Sequence, residues 1–324
     1  MSEAQELADV LLSELRQVSG YNALSASVGV ALSGDQRDAQ ELIRQADAAM
    51  YRAKAQGGAQ VAIFDGAMQS AQDADEQLRK SVLRGVASDG FGVVAQPIFA
   101  LTSGRVYAIE LFVRLRHNEP YLADANRLFR LAHEYGEALD TAVLTRGLAL
   151  ARTWRNSLGS AAPRIQINLS PQSMASESFS GRVQQALHDH HLPPTAIGFE
   201  IDCRDMARPG EHERNTREDL VEMGVPMVID GFDGHGFSLG ALAQHRVAMV
   251  KVASNPDNRR VTAALARSLM TLRVAVTLKG IGSHEELQHA VRIGVFAGQG
   301  NALAPVRPVE ELSSLLQDDP RLGF

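Results

Sequence analysis

The chain has 324 residues, 45% of them hydrophobic and 22% charged, enough to bury one large core or two ordinary ones. Its net charge of -6 excludes a surface built to wrap nucleic acid, so any anionic ligand has to be met locally. The single cysteine, Cys203, closes no internal disulfide, and there is neither a secretory leader nor a run of about 18 apolar residues, which makes a cytoplasmic location the expectation.

Residues 4–18 place Leu7, Val10, Leu11 and Leu15 at helical spacing, and Ala23–Leu32 (ALSASVGVAL) predicts a small-residue strand. A helix follows, with an apolar stripe through Leu42, Ile43, Ala46, Met50 and Ala53 and a stop at Gly57 and Gly58. A short strand at 60–64 closes the segment. Helix, strand, helix, strand over so few residues cannot bury both faces of a sheet, so these elements predict part of a domain with an uncovered edge. Residues 72–88 carry charges and sparse apolar positions at helical spacing, which suits a connecting helix. The expected division is a partial domain over 1–68, a connecting helix over 69–88 and a second domain over 89–324.

From residue 91 short apolar runs alternate with longer helical stretches. GVVAQPI, VYAIELFV, RIQINL, AIGFEI, VPMVID, VAMVKV, VAVTLKG and FAGQG read as eight strands, with helices expected at 142–154, 181–190, 214–223, 258–271 and 283–292. That order predicts a (β/α) barrel. Glu110, Asn168, Glu200, Asp230, Lys251, Lys279 and Gln299 fall at the ends of these runs, which in such a barrel line one rim where chemistry sits.

The ordered series AQPI, IELFVRLRH, INLSPQS, FEID, VIDGFDG, VKV and GQGNALAP resembles the EAL family of cyclic di-GMP phosphodiesterases over residues 80–315. The first segment resembles the C-terminal half of a GGDEF domain, through LSASVGVAL and QADAAMYRAKAQGG, while the GGDEF signature itself is absent and no diguanylate cyclase activity is expected of this chain. The resemblance implies an α/β protein, an EAL-type (β/α)8-like barrel preceded by a partial α/β GGDEF-like segment. In the family, the Glu of EAL, the Asn of NLS, the first Glu of ELTE and the first Asp of DDFG hold one divalent cation, and a second Asp helps to bring in another. By position these ligands are Glu110, Asn168, Glu200 and Asp230, a one-metal set suited to Mg2+ or Mn2+. The second Asp is Gly231, the second acid of ELTE is Cys203, the Glu of AEGVE is Lys279 and the Asp of KID is Ala253, while the Lys of KID stays as Lys251. Together these changes make the pocket about five charge units less negative than in a typical member. A pair of dications needs clustered carboxylates, so a metal pair is expected to bind poorly and metal not to be required. The dianionic ligand is instead suited by Lys279, Lys251 and Arg114.

By the same resemblance, Gln96, Phe112, Val113, Arg114 and Asp140 match places where EAL barrels meet guanine and phosphate, and Gln299 matches the polar group at the last strand end. Phe112 turns the motif into ELFVR, which is similar to the EVF-type motif of FimX receptors of twitching motility. An aromatic ring there suits stacking on a purine, with core filling as the alternative. FimX- and LapD-type receptors share the plan of a degenerate GGDEF joined to a degenerate EAL domain, although Lys279 departs from the FimX pattern. The resemblance therefore implies a cyclic di-GMP-binding effector of motility, pili or biofilm, with a PilZ-type or other signalling protein as partner. The net charge argues against a nucleic-acid partner, and the uncovered edge of the first segment is one that tends to form a homodimer or to be disordered. The alternatives are a slow metal-dependent phosphodiesterase producing pGpG, in which Lys251 assists an attacking water, and a scaffold that binds no nucleotide. His188, His190 and His191 read as solvated, His235 as a turn residue of the DGFDGHG loop, and Cys203 as an inert small residue.

Overall fold

The computed structural model describes residues 3–18, 26–33, 38–88, 90–115, 125–206, 209–234, 239–244 and 246–317. His235 lies outside the described residues. The chain divides into two units, Met1–Lys80 and Ser81–Phe324.

The first unit holds α1 (Glu3–Val18), β1 (Val28–Val30), α2 (Ala39–Ala55), β2 (Val61–Ile63) and the start of α3 (Gly66–Ser88). The β1 and β2 strands pair in parallel, Val28 opposite Val61 and Val30 opposite Ile63, with α2 as the crossover. The Asp38 side chain caps α2 by accepting from the Gln40 backbone N–H at 3.0 Å, satisfying one of the donors a helix start leaves open. Two short strands offer little surface to cover, and what packs is mostly small: Ala8, Leu12, Ala49 and Ala53 are buried. The apolar stripe of α1 faces outward, with Leu7, Val10, Leu11 and Leu15 exposed, and Ile43 of α2 is exposed as well.

The second unit begins with β3 (Phe91–Ala100), β4 (Val106–Leu115), α4 (Ala125–Leu158), β5 (Arg164–Asn168), α5 (Pro171–Ala175) and α6 (Phe179–Asp189). It continues with β6 (Ile197–Asp202), α7 (Cys203–Met206), α8 (Glu211–Glu222), β7 (Met227–Asp230), α9 (Leu239–Gln244), β8 (Met249–Ala253) and α10 (Arg259–Thr271). Then come β9 (Ala275–Lys279), α11 (His284–Ile293), β10 (Ala297–Gly298), β11 (Arg307–Pro308) and α12 (Val309–Gln317). Strands β4 to β10 run parallel in chain order, and β3 closes the ring by pairing antiparallel with both β4 and β10. All eight runs read as strands are strands of this closed barrel. The direction of β3 follows from the short connection at 101–105, which can make a hairpin but not a crossover.

Side chains alternate along each strand, so every second residue faces the helices and the others face the lumen. The helix-facing set, including Ile165, Ile167, Phe199, Ile201, Val250 and Leu278, joins Leu148 of α4, Val183 of α6, Leu220 of α8 and Leu269 of α10 in one hydrophobic cluster. The lumen-facing set is polar to an unusual degree. Gln96, Glu110, Gln166, Glu200, Lys251, Thr277 and Gln299 are all buried.

Candidate functional site

The stagger of a closed barrel puts side chains from alternate strands at the same height. Glu110 of β4, Glu200 of β6, Lys251 of β8 and Gln299, which follows β10, form one such layer near the C-terminal ends of the strands. Lys251 Nζ stands 2.7 Å from Glu110 Oε2 and 2.5 Å from Glu200 Oε1. Gln299 Nε2 donates to Glu110 Oε2 at 2.7 Å and to Gln96 Oε1 at 3.2 Å. Gln96 in turn donates to the Ala304 carbonyl at 3.0 Å. The next layer toward the mouth comes from the intervening strands: Asn168 of β5, Asp230 of β7 and Lys279 of β9. Asn168 Nδ2 donates to Glu110 Oε1 at 2.8 Å, and Lys279 Nζ is 2.6 Å from Asp230 Oδ1.

Electrostatics divides the two layers. Lys251 is only 1% exposed and cannot reach a ligand without breaking its pairs, whereas the Lys279 side chain is 33% exposed. Burial works against the Lys251 charge, yet Glu110 and Glu200 together hold its pKa above the ordinary lysine value. Burial likewise opposes ionisation of Glu110, but Lys251, Gln299 and Asn168 bring its pKa below the usual value. Glu200 is the third charge in a space with one cation. Burial, and then the Glu110 charge, push its pKa up to about 8, and beyond the ammonium neither of its oxygens has a hydrogen-bond partner. Of the two acids around Lys251, Glu200 is therefore the one that holds a proton more readily.

Asp140 joins the site through the backbone that follows β5. Its Oδ2 accepts from the Ser170 N–H at 2.7 Å, the Ser170 hydroxyl at 2.6 Å and the Ser173 hydroxyl at 2.7 Å, which fixes the turn between Asn168 and α5. The approach of α4 to this turn needs a glycine: a Cβ on Gly136 would stand 2.5 Å from Ser170 Oγ. Burial raises the Asp140 pKa against the pull of the Ser170 bonds. At the rim of β4, Phe112, Val113 and Arg114 are half-buried. Arg114 Nη1 donates to the Val113 carbonyl at 2.8 Å, and its guanidinium lies 6.0 Å from the Phe112 ring centroid.

Two rim features escape a strand-end reading. Arg204 grips Asp202 with two bonds, at 2.9 and 2.6 Å, and adds an exposed cation at the end of β6. The Asp-x-Arg spacing at the end of the FEID run is a signal that carries it. Asn301, just beyond Gln299, accepts from Gln96 at 3.4 Å. Cys203 faces the hydrophobic cluster at 3% exposure, and its thiol points to the Gly231 carbonyl at 3.3 Å.

The donor set does not fit a pair of divalent cations. An ammonium sits on Asp230, another sits between Glu110 and Glu200, and position 231 offers no side chain. Among the described residues no group of three or more His, Cys, Asp or Glu side chains is arranged to hold a metal ion.

The EAL domain family model matches residues 76–306, most of the chain, and the chain belongs to that family. Residues 1–60 match the family model described as the diguanylate cyclase, GGDEF domain. A similar curated relative is the bifunctional diguanylate cyclase/cyclic di-GMP phosphodiesterase MucR of Pseudomonas aeruginosa, 27% identical over 327 residues that cover 96% of this chain and 47% of MucR. The chain thus spans about half the length of that relative. Among solved structures, the MucR phosphodiesterase in complex with c-di-GMP superposes with a TM-score of 0.66 at 23% identity, covering 73% of this chain and 99% of that one. The FimX EAL domain of Xanthomonas citri, also in complex with c-diGMP, gives 0.61 at 17% identity, covering 74% of this chain and 97% of that one. At these identities the structural likeness is one of fold. No helix among the described residues is long and apolar enough to cross a membrane.

Proposed function

We propose that this chain is a cyclic di-GMP receptor whose EAL barrel binds the dinucleotide without hydrolysing it efficiently. The observation that carries this reading is the Lys279–Asp230 ion pair beside Gly231 at the barrel mouth. Where a two-metal site needs acid to clamp an attacking water and a phosphate, this rim carries a fixed ammonium. On this reading Lys279 and Arg114 meet phosphate directly, Phe112 stacks on a guanine, and Gln96, Val113 and Gln299 line the rest of the pocket. Lys251 is committed to Glu110 and Glu200 and supports the site from beneath. The output side, control of motility, pili or biofilm through a PilZ-type or other protein partner, rests on the resemblance to FimX-type receptors, and a homodimer would cover the apolar residues that α1 exposes.

A slow phosphodiesterase is the second reading, favoured by the presence of Glu110, Asn168, Glu200 and Asp230 on four successive strands. Calorimetry with cyclic di-GMP separates the two. Binding is expected to persist in EDTA and to change little with Mn2+; binding abolished by EDTA and restored by Mn2+ would favour the enzyme. The repair variant Gly231→Asp/Lys279→Glu should gain Mn2+-dependent conversion to linear pGpG and lose metal-free affinity. Gly231 has φ of 69° and nothing within 4 Å of an added Cβ, so there is room for the side chain, and Asp tolerates that left-handed backbone better than most residues. Robust turnover by the unmodified chain, equal to the repaired one, would overturn the receptor assignment.

A further inference from the structure

Outside the barrel, between α5, α7 and α8, lies a cavity of about 230 Å³. Its apolar wall is made by Met174, Ile201 and Met206, all buried. Ile201 alternates with the lumen-facing Glu200, so the apolar wall lies on the helix side of β6, while Arg204 at the edge of the cavity borders the rim. Arg217 reaches it from α8 and is only 6% exposed. A buried guanidinium ordinarily takes a carboxylate in a bidentate pair, because an uncompensated buried charge is expensive. Arg217 has no such pair. Its contacts are the Met206 sulfur at 3.9 Å, a weak acceptor, and the exposed Glu218 at 3.8 Å. Burial lowers its pKa, which agrees with a cation short of compensation. The other charges on the wall are engaged: Arg204 with Asp202, Glu213 folded over Gly210 at the start of α8, and Asp205 in an interaction of its own.

We infer that this cavity is a binding site for a small organic anion, a phosphate or carboxylate carried on an apolar group, with Arg217 as the anion partner and the two methionines as its adaptable wall. Met side chains repack around bound groups more readily than branched ones, and a site of this volume holds a single ring or short chain. Met174, Met206 and Arg217 are not among the residues named for the barrel mouth.

Methyl NMR of the full chain labelled at methionine tests it, with phenyl phosphate as probe and cyclic di-GMP added to saturation. Met249, which contacts Thr277 inside the barrel, is the control. Saturable shifts of Met174 and Met206 with Met249 unmoved are expected, together with affinity about tenfold or more weaker in Arg217→Gln, the usual scale for a lost charge-assisted hydrogen bond. Arg217→Lys should keep part of the affinity, and phenol should bind at least about tenfold more weakly than phenyl phosphate. A wild type without saturable shifts, equal response to phenol, or unchanged affinity in Arg217→Gln overturns the site. So do shifts that vanish when cyclic di-GMP is present, since they would place the probe at the mouth. If Arg217→Gln does not fold, the phenol comparison and Arg217→Lys decide. If the dinucleotide itself does not bind, the titration without it still reads Met174 and Met206.

Discussion

At Glu200 two buried carboxylates compete for one ammonium, and the consequence can be read in pH. A carboxyl whose folded pKa is about 8 against an ordinary 4.5 takes up a proton on folding anywhere between those values. Its stabilising contribution is therefore full at low pH and is lost as pH rises toward 8. Gln at this position mimics the protonated acid and cannot titrate. Urea midpoints of wild type and Glu200→Gln should diverge as pH is raised from 5 to 8, wild type losing up to about 1.4 kcal/mol per pH unit relative to the variant. Parallel curves would show that Glu200 is ionised throughout. Cys203 poses a different question, because its position corresponds to an acid of the family. Here it is core: burial, then the Asp202 charge, push the thiol up to about 11. The thiol should resist DTNB at pH 8 in the native chain and react only on unfolding. Cys203→Glu should cost several kcal/mol, seen as a lowered Tm, because it buries a carboxylate among apolar neighbours; rapid labelling of native protein, or an unchanged Tm, would contradict this placement.

At the scale of elements, the connection from β5 to α5 depends on α4. Asp140 was expected from family resemblance to touch the nucleotide, and the structure shows one of its oxygens holding three donors of the Ser170 turn. Asp140→Ala should lower stability by roughly 1–3 kcal/mol, the cost of leaving buried donors unmet. If that anchoring is its main role, cyclic di-GMP affinity measured by calorimetry should fall less than tenfold; a large loss of affinity with unchanged Tm would restore the contact role. Nothing local in the sequence announces this anchor, since its partners are 30 residues or more apart. By contrast, the polar strand ends were legible because alternation and strand termini alone bring them to one rim. That Lys251 would be sealed between two acids, and Lys279 left at the mouth, was not, because it depends on which alternate strands share a height.

For the whole molecule, the eight barrel strands were readable as short apolar runs separated by helical stretches, and the sheet confirms each of them. The reversed first strand was hidden because an apolar run carries no direction, although the short connection at 101–105 permits only a hairpin. In the first unit the periodicity found the helices, and says nothing of what covers their apolar stripes. A stripe such as Leu7, Val10, Leu11 and Leu15 is buried only where something covers it, and two three-residue strands cover little. Every residue named for the nucleotide, from Gln96 to Gln299, belongs to the unit Ser81–Phe324. A fragment comprising residues 66–324, which keeps α3 whole, should therefore fold and bind cyclic di-GMP within about twofold of the full chain, a difference below about 0.5 kcal/mol. Circular dichroism should show a cooperative transition for the fragment, and calorimetry gives the comparison. A fragment that folds with the same cooperativity yet binds tenfold or more weakly would show that the GGDEF-like segment contributes to the site, and the assignment of binding to the barrel alone would fall.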